Sequence, residues 1–298
     1  MGETKIPYVD KTCNVVIGCP DTGQPCLERC WANDLHTQRH IACLKGKHVA
    51  PQYAKPFSKL QILKDRIKDP LHWRQPRTIL WSSMGDTFHE QVPFEVIDRM
   101  MAVVKNTPEH KHLFLTKRVE QEVEYFKNHF NVKSDPLWDR LYLGVSLMTQ
   151  ADVDTKLAKH LQIPGKHWVS AEPLLSEMDF TRFIGGWDED GHCKKCGLPK
   201  EEGIEKCDCP PGFGPRFDLS FLVCGCEQYK RKPGRFLDGE LTDKYYEARW
   251  WAAARGILRQ CQAAGVKFWM KQGVKNGKVV TELKDMPEDM RIRQEIES

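Results

Sequence analysis

Short apolar runs alternate with amphipathic stretches from about residue 76 onward, and this alternation restricts what the chain can fold into. Thr78–Trp81, His112–Leu115, Leu141–Val145, His167–Ser170, Phe221–Cys224 and Val266–Met270 each read as a strand. Helical spacing fills the intervals. Pro93 opens one helix through Val96, Ile97, Met100, Met101 and Val104; proline suits a first turn, where its missing N–H does no harm. Residues 118–130 form a second helix, residues near 150–162 a third and residues 242–264 a long fourth, with Thr242 as N-cap and Gly265 as the stop. Strands alternating with helices indicate βαβ units, right-handed crossovers and a parallel sheet. With a first strand near Val15–Ile17, the expected fold is α/β. It is a partial or complete TIM-like (β/α) barrel of about six to seven parallel strands, with a doubly wound sheet as the alternative.

Nearly every strand ends in polar residues: Ser82, Ser83 and Asp86; Thr116 and Lys117; Ser146; Glu172; Glu227; Lys271 and Gln272. Strands must end in polar turns in any case, but the C-terminal ends of parallel strands are also the active face of α/β barrels. Cys19, Cys26 and Cys30, spaced C-x6-C-x3-C and followed by Trp31, come directly after the first expected strand and so belong to the same face. Three thiolates are one ligand short of a closed site. That describes either a zinc site completed by His36 or His40, or an iron–sulfur cluster with one open iron.

A second cluster, Cys193, Cys196, Cys207 and Cys209, is spaced C-x2-C-x10-C-x-C. It lies in an irregular insert over residues 176–217 that divides the main domain into 1–175 and 218–298. Four thiolates in a Gly/Pro-rich stretch with few large apolar residues point to structural Zn2+, whose binding then supplies folding energy, or to an auxiliary iron–sulfur cluster. Of the remaining cysteines of the main domain, Cys43, Cys224, Cys226 and Cys261 read as buried thiols. Of these, Cys226 lies nearest the active face.

The chain has 45 basic and 41 acidic side chains, for a net charge of +4. This permits a nucleic-acid partner without demanding one. Lys194, Lys195, Lys200 and Arg216 in the insert, and Lys230, Arg231, Lys232 and Arg235 after Glu227, are basic residues suited to phosphate contact, with solvated surface lysines as the plain alternative. No stretch of about 18 apolar residues occurs, and the first ten residues carry no apolar core of a signal peptide. A soluble cytoplasmic protein with no membrane partner is expected, in which 12 cysteines serve metal ligation in preference to disulfides.

The segments Thr12–Cys19, Cys26–Ala32, Ser82–His89, Leu115–Arg118, Leu143–Ser146, Ser170–Leu175 and Gly265–Gln272 resemble, in order, a phage and prophage three-cysteine family of formerly unknown function related to radical SAM enzymes. The likeness covers about residues 8–275 apart from the insert. This chain departs from the family in having x3 before Cys30 where x2 is usual, Trp31 in place of tyrosine, and Cys226 where a second glycine precedes Glu227.

The resemblance implies a 4Fe–4S cluster on Cys19, Cys26 and Cys30, with S-adenosylmethionine on the fourth iron and an electron donor such as flavodoxin or ferredoxin. Ser82, Ser83 and Asp86 then stand where related enzymes grip the methionine amino group, and Trp31 shields the cluster. Thr116, Lys117 and Ser146 are cofactor contacts. Glu172, Glu227, Lys271 and Cys226 are candidates for catalysis, with a structural Glu172–Lys271 ion pair as the alternative. The implied reaction is hydrogen abstraction from a modified pyrimidine nucleotide in phage DNA, most concretely isomerisation of glycyl-thymidine, in the host-cell cytoplasm. A lyase resembling spore photoproduct lyase and a non-catalytic, zinc-stabilised nucleic-acid-binding protein are the other readings.

Overall fold

The computed structural model describes residues 4–20, 30–129, 136–184, 219–226, 228–229 and 232–295. The main strands are β1 (Lys11–Cys13), β4 (Thr78–Trp81), β5 (Lys111–Thr116), β6 (Leu141–Ser146), β7 (Lys166–Ala171), β8 (Leu219–Gly225), β9 (Lys267–Lys275) and β10 (Lys278–Val280). A short pair, β2 (Val16–Ile17) and β3 (Gln61–Ile62), lies apart from them. The sheet has eight strands in the order β1–β4–β5–β6–β7–β8–β9–β10. The fold is α/β with a large, mostly parallel sheet. Among the described residues no pairing joins β1 to β10, so the closure expected of a complete barrel is not seen. The chain divides between Gly144 and Val145, inside β6, into two compact units.

In the first unit β4 runs parallel to both β1 and β5, with Ile79 opposite Lys11 and His112. The sheet starts at Lys11–Cys13 and not at the apolar Val15–Ile17 run. Val16 and Ile17 instead pair antiparallel with Ile62 and Gln61. All three residues of that run are buried, but an apolar run does not say which ladder it joins. β1 is short and half-exposed at a sheet edge, so its polar residues give no strand signal. Helices α2 (Phe94–Lys105) and α3 (Val119–His129) bury Val96, Ile97, Met100, Val104, Tyr125 and Phe126. Trp81 stacks on Phe114 at 5.6 Å between ring centroids, which ties β4 to β5.

In the second unit β7, β8 and β9 are parallel, and β10 returns antiparallel to β9 with Val280 opposite Gly273. The long helix α4 (Lys244–Ala264) buries Trp250, Trp251, Ala254, Ile257, Leu258 and Cys261. Its cap is Asp243, not Thr242: the Asp243 carboxylate accepts from the Tyr245 N–H at 2.7 Å. Gly265 ends the helix in the left-handed conformation, φ 68°. The helical stretch expected near 150–162 spans Gln150–Asp152, a π turn at Val153–Leu157, and Ala158–His160. Residues 176–184 are ordered against α4. Gln260 accepts from the Phe180 N–H at 2.6 Å and donates to the Met178 carbonyl at 3.0 Å, and Phe180 and Phe183 are buried. No helix among the described residues is long and apolar enough to cross a membrane.

Candidate functional site

The first unit holds the amino-terminal cysteines. The chain reaches Cys19 through Gly18, whose φ of +94° and close approach to the Phe57 and Lys59 carbonyl oxygens, each 2.7 Å from where a Cβ would lie, exclude a larger residue. The N–H groups of Gly18 and Cys19 donate to Met84 and Phe57 carbonyls, each at 2.9 Å. Cys30 is the N-cap residue of helix α1 (Trp31–Leu44). Cys19 and Cys30 are both half-buried, both free of disulfides, and both packed on one apolar cluster of Ile17, Ala32, Phe57 and Met84. Cys26 lies outside the described residues. Trp31, the first residue of α1, is half-exposed. His36 and His40 each place a ring nitrogen 2.8 Å from a backbone carbonyl, of Lys55 and Tyr53 respectively.

The loop after β4 is tied down by Asn14, whose side-chain oxygen accepts from the Ser83 hydroxyl at 3.1 Å and the Met84 N–H at 3.0 Å. Ser82 is buried, with φ 54°, and its hydroxyl oxygen accepts from the Val16 N–H at 3.3 Å. Asp86 is the hub of this loop. Its Oδ1 accepts from the Phe88 N–H at 3.0 Å and the Thr116 hydroxyl at 2.8 Å, while Oδ2 accepts from the Lys117 N–H at 3.0 Å and Arg118 Nη1 at 3.4 Å. Both oxygens are engaged inside the protein, so in this arrangement Asp86 organises the turn joining β4 to the end of β5.

Arg118 links this hub to the cysteines. Its Nε donates to Glu90 at 3.0 Å and its Nη2 lies 3.8 Å from Cys19 Sγ, within hydrogen-bonding range of sulfur. Burial disfavours its charge, but Asp86, Glu90 and Cys19 together outweigh that and raise its pKa. Arg118 is nine-tenths buried; it, its partner Glu90 and the loop tie Asn14 are the residues around Cys19 and Asp86 that sequence reasoning passed over. The available signal for Arg118 was its position directly after Thr116–Lys117 at a strand end.

The second unit gathers a different group. Glu172 follows β7. Its Oε1 lies 2.8 Å from Lys271 Nζ on β9, and its Oε2 accepts from the Ser170 hydroxyl at 3.2 Å. The Ser146 hydroxyl donates to the Glu172 carbonyl at 3.2 Å. Cys226 is buried, its thiol donating to the Gly273 carbonyl at 3.3 Å and its own carbonyl accepting from Gln272 at 2.8 Å. Burial, reinforced by Glu172 and Cys226, pushes the Cys224 thiol well above its usual range. Cys224 and Cys261 are buried thiols as expected, whereas Cys43 is half-buried. Glu227 and the insert cysteines Cys193, Cys196, Cys207 and Cys209 lie outside the described residues.

Chemically, the first group offers two soft, half-buried thiols beside a guanidinium. The second offers a carboxylate and an ammonium at the ends of parallel strands, with side chains 12% and 25% exposed. Among the described residues no three His, Cys, Asp or Glu side chains cluster as a metal site. No curated protein and no solved structure matches the chain. A family model described as a protein of unknown function, DUF5131, matches residues 3–286, and the chain belongs to that family.

Proposed function

We propose that the protein is a radical SAM enzyme. The observation that carries this reading is the shared seat of Cys19 and Cys30 on one apolar cluster, beside the ends of β4 and β5, with Arg118 reaching the Cys19 sulfur. The donor set fits the group: free thiols shielded on one side by apolar side chains and opposed by a buried cation suit an iron–sulfur ligand. Cys19, Cys26 and Cys30 would hold a 4Fe–4S cluster, which, with S-adenosylmethionine and one electron from a flavodoxin- or ferredoxin-type donor, would supply a 5′-deoxyadenosyl radical for hydrogen abstraction from the substrate. The protein's own residues then have separate tasks. Asp86, Thr116 and Arg118 fix the loops that carry the cofactor face, Ser83 and Lys117 line it, and the Glu172–Lys271 pair holds or relays a proton at the substrate.

The substrate proposed is a modified pyrimidine nucleotide in DNA, with isomerisation of glycyl-thymidine as the specific reaction. A duplex substrate requires an extruded base, at a cost of a few kcal/mol. The polar ends of successive strands support an active face of the barrel type, and the second cysteine cluster is proposed to hold zinc. The test is anaerobic reconstitution with iron and sulfide, followed by dithionite and S-adenosylmethionine. A brown chromophore and release of 5′-deoxyadenosine are expected, both abolished by Cys26→Ala. A wild-type protein that gains no chromophore and yields no 5′-deoxyadenosine would falsify the reading.

A further inference from the structure

Arg118 has a role that cofactor binding alone does not require. Its side chain is nine-tenths buried, yet it is placed to reach a sulfur and two carboxylates at once: Cys19 at 3.8 Å, Asp86 at 3.4 Å and Glu90 at 3.0 Å. A purely structural arginine needs only the carboxylates. The hydrogen-bonding sites of Asp86 are already filled by the Phe88 and Lys117 N–H groups and the Thr116 hydroxyl, so the arginine brings a compensating charge and not a missing donor. Glu90 is more than half exposed and has water as an alternative partner. What only Arg118 supplies is a fixed positive charge and an N–H directed at one cysteine of the trio.

Resting on the radical SAM reading, we propose that Arg118 is a positioning residue that sets the reduction potential of the cluster through its contact with the Cys19 sulfur, and that the Asp86–Glu90 pair fixes how much of its charge the cluster feels. The potential of an iron–sulfur cluster depends on net charge, hydrogen bonds to its sulfurs and solvent exposure. The one-electron reduction adds negative charge to the cluster, so a guanidinium at the ligand sulfur favours the reduced form. Removing it leaves two carboxylates uncompensated nearby and pushes the potential down. Removing Glu90 leaves the guanidinium less neutralised and pushes the potential up.

The experiment is a dithionite-buffered potentiometric titration of the reconstituted full-length protein, followed by electron paramagnetic resonance. Arg118→Gln is expected to lower the reduced-to-oxidised ratio at a fixed potential by at least tenfold, about 59 mV for a one-electron couple. Arg118→Lys restores part of the shift, because a charge returns without the fork that meets three partners. Glu90→Gln, at an exposed position, raises the ratio by more than about threefold. If Arg118→Gln does not fold, Glu90→Gln decides alone. A ratio within twofold of wild type in folded Arg118→Gln, or in Glu90→Gln, overturns the proposal while leaving the radical SAM reading intact. A wild-type protein that takes up no cluster overturns both.

Discussion

The substitution Asp86→Asn is expected to destabilise the metal-free protein by about 3–5 kcal/mol, the usual cost of breaking one side of a buried ion pair. The magnitude comes from how the carboxylate is used. The side chains of Asp86 and Arg118 are 11% and 6% exposed, and both carboxylate oxygens accept hydrogen bonds. An asparagine side chain has one accepting oxygen. If its amide group takes the place of Oδ2, the Lys117 N–H and Arg118 Nη1 both face a donor; if it takes the place of Oδ1, the Phe88 N–H does. Thr116 can turn its hydroxyl to accept, but the backbone donors cannot turn. Two charge-assisted bonds at about 1.5–3 kcal/mol each give about 3–6 kcal/mol, which overlaps that range. Urea denaturation of the reduced, metal-free protein measures it, and a double-mutant cycle with Arg118→Met should show coupling above about 1 kcal/mol. A loss below about 1 kcal/mol for Asp86→Asn, or strict additivity in the cycle, would refute the idea that Asp86 is the hub of these two loops.

Thiol reactivity should divide the cysteines. Burial raises the Cys13 and Cys224 thiols and pushes Cys261 up to about 12, so at pH 8 they carry little thiolate, and iodoacetamide followed by peptide mass spectrometry should label half-buried Cys19, Cys30 and Cys43 ahead of them; equal labelling of Cys261 would contradict that burial. In Gly225→Ala the new Cβ would sit 2.7 Å from Glu172 Oε1, forcing the carboxylate off Lys271; a roughly 10–100-fold fall in turnover with the fold retained is expected, and unchanged turnover would remove the pair from the chemistry. Burial holds the His112 pKa at about 3, below the unfolded 6.5, so the stability it contributes is full above pH 6.5 and is lost as pH falls from there towards 3. Urea midpoints should therefore drop between pH 7 and pH 4.5 more steeply in the wild type than in His112→Gln, and parallel curves would disprove the assignment. Cys193→Ser should lose zinc while keeping iron, by metal analysis of the reconstituted protein; a parallel loss of iron would show that the two cysteine groups form one site.

The parts of the fold that could be read from the sequence are those whose signal is local. β4, β5, β6, β7, β8 and the core of β9 announce themselves as apolar runs, because both faces of a central parallel strand are covered. β1 and β10 do not, being edge strands whose half-exposed residues alternate no more clearly than a loop. The same distinction explains the site. Cys19, Cys30 and Asp86 stand out by residue type and spacing, but what surrounds each is set by partners distant in sequence. Arg118 meets Cys19 across 99 residues, and Asn14 meets Met84 across 70. A strand-end polar residue and a surface arginine look alike until the sheet register places one against a thiol. The register does so here because β4 and β5 are parallel, which puts Asp86 and Thr116 at the same end of adjacent strands, 2.8 Å apart. With Asp86 held there, the residue two beyond Thr116 is directed at the same carboxylate from the other side, and its remaining donors reach Glu90 and Cys19. The strand-end pattern therefore carried more information than its individual residues did: it located the loop that binds the cysteine, though not the side chain that does so.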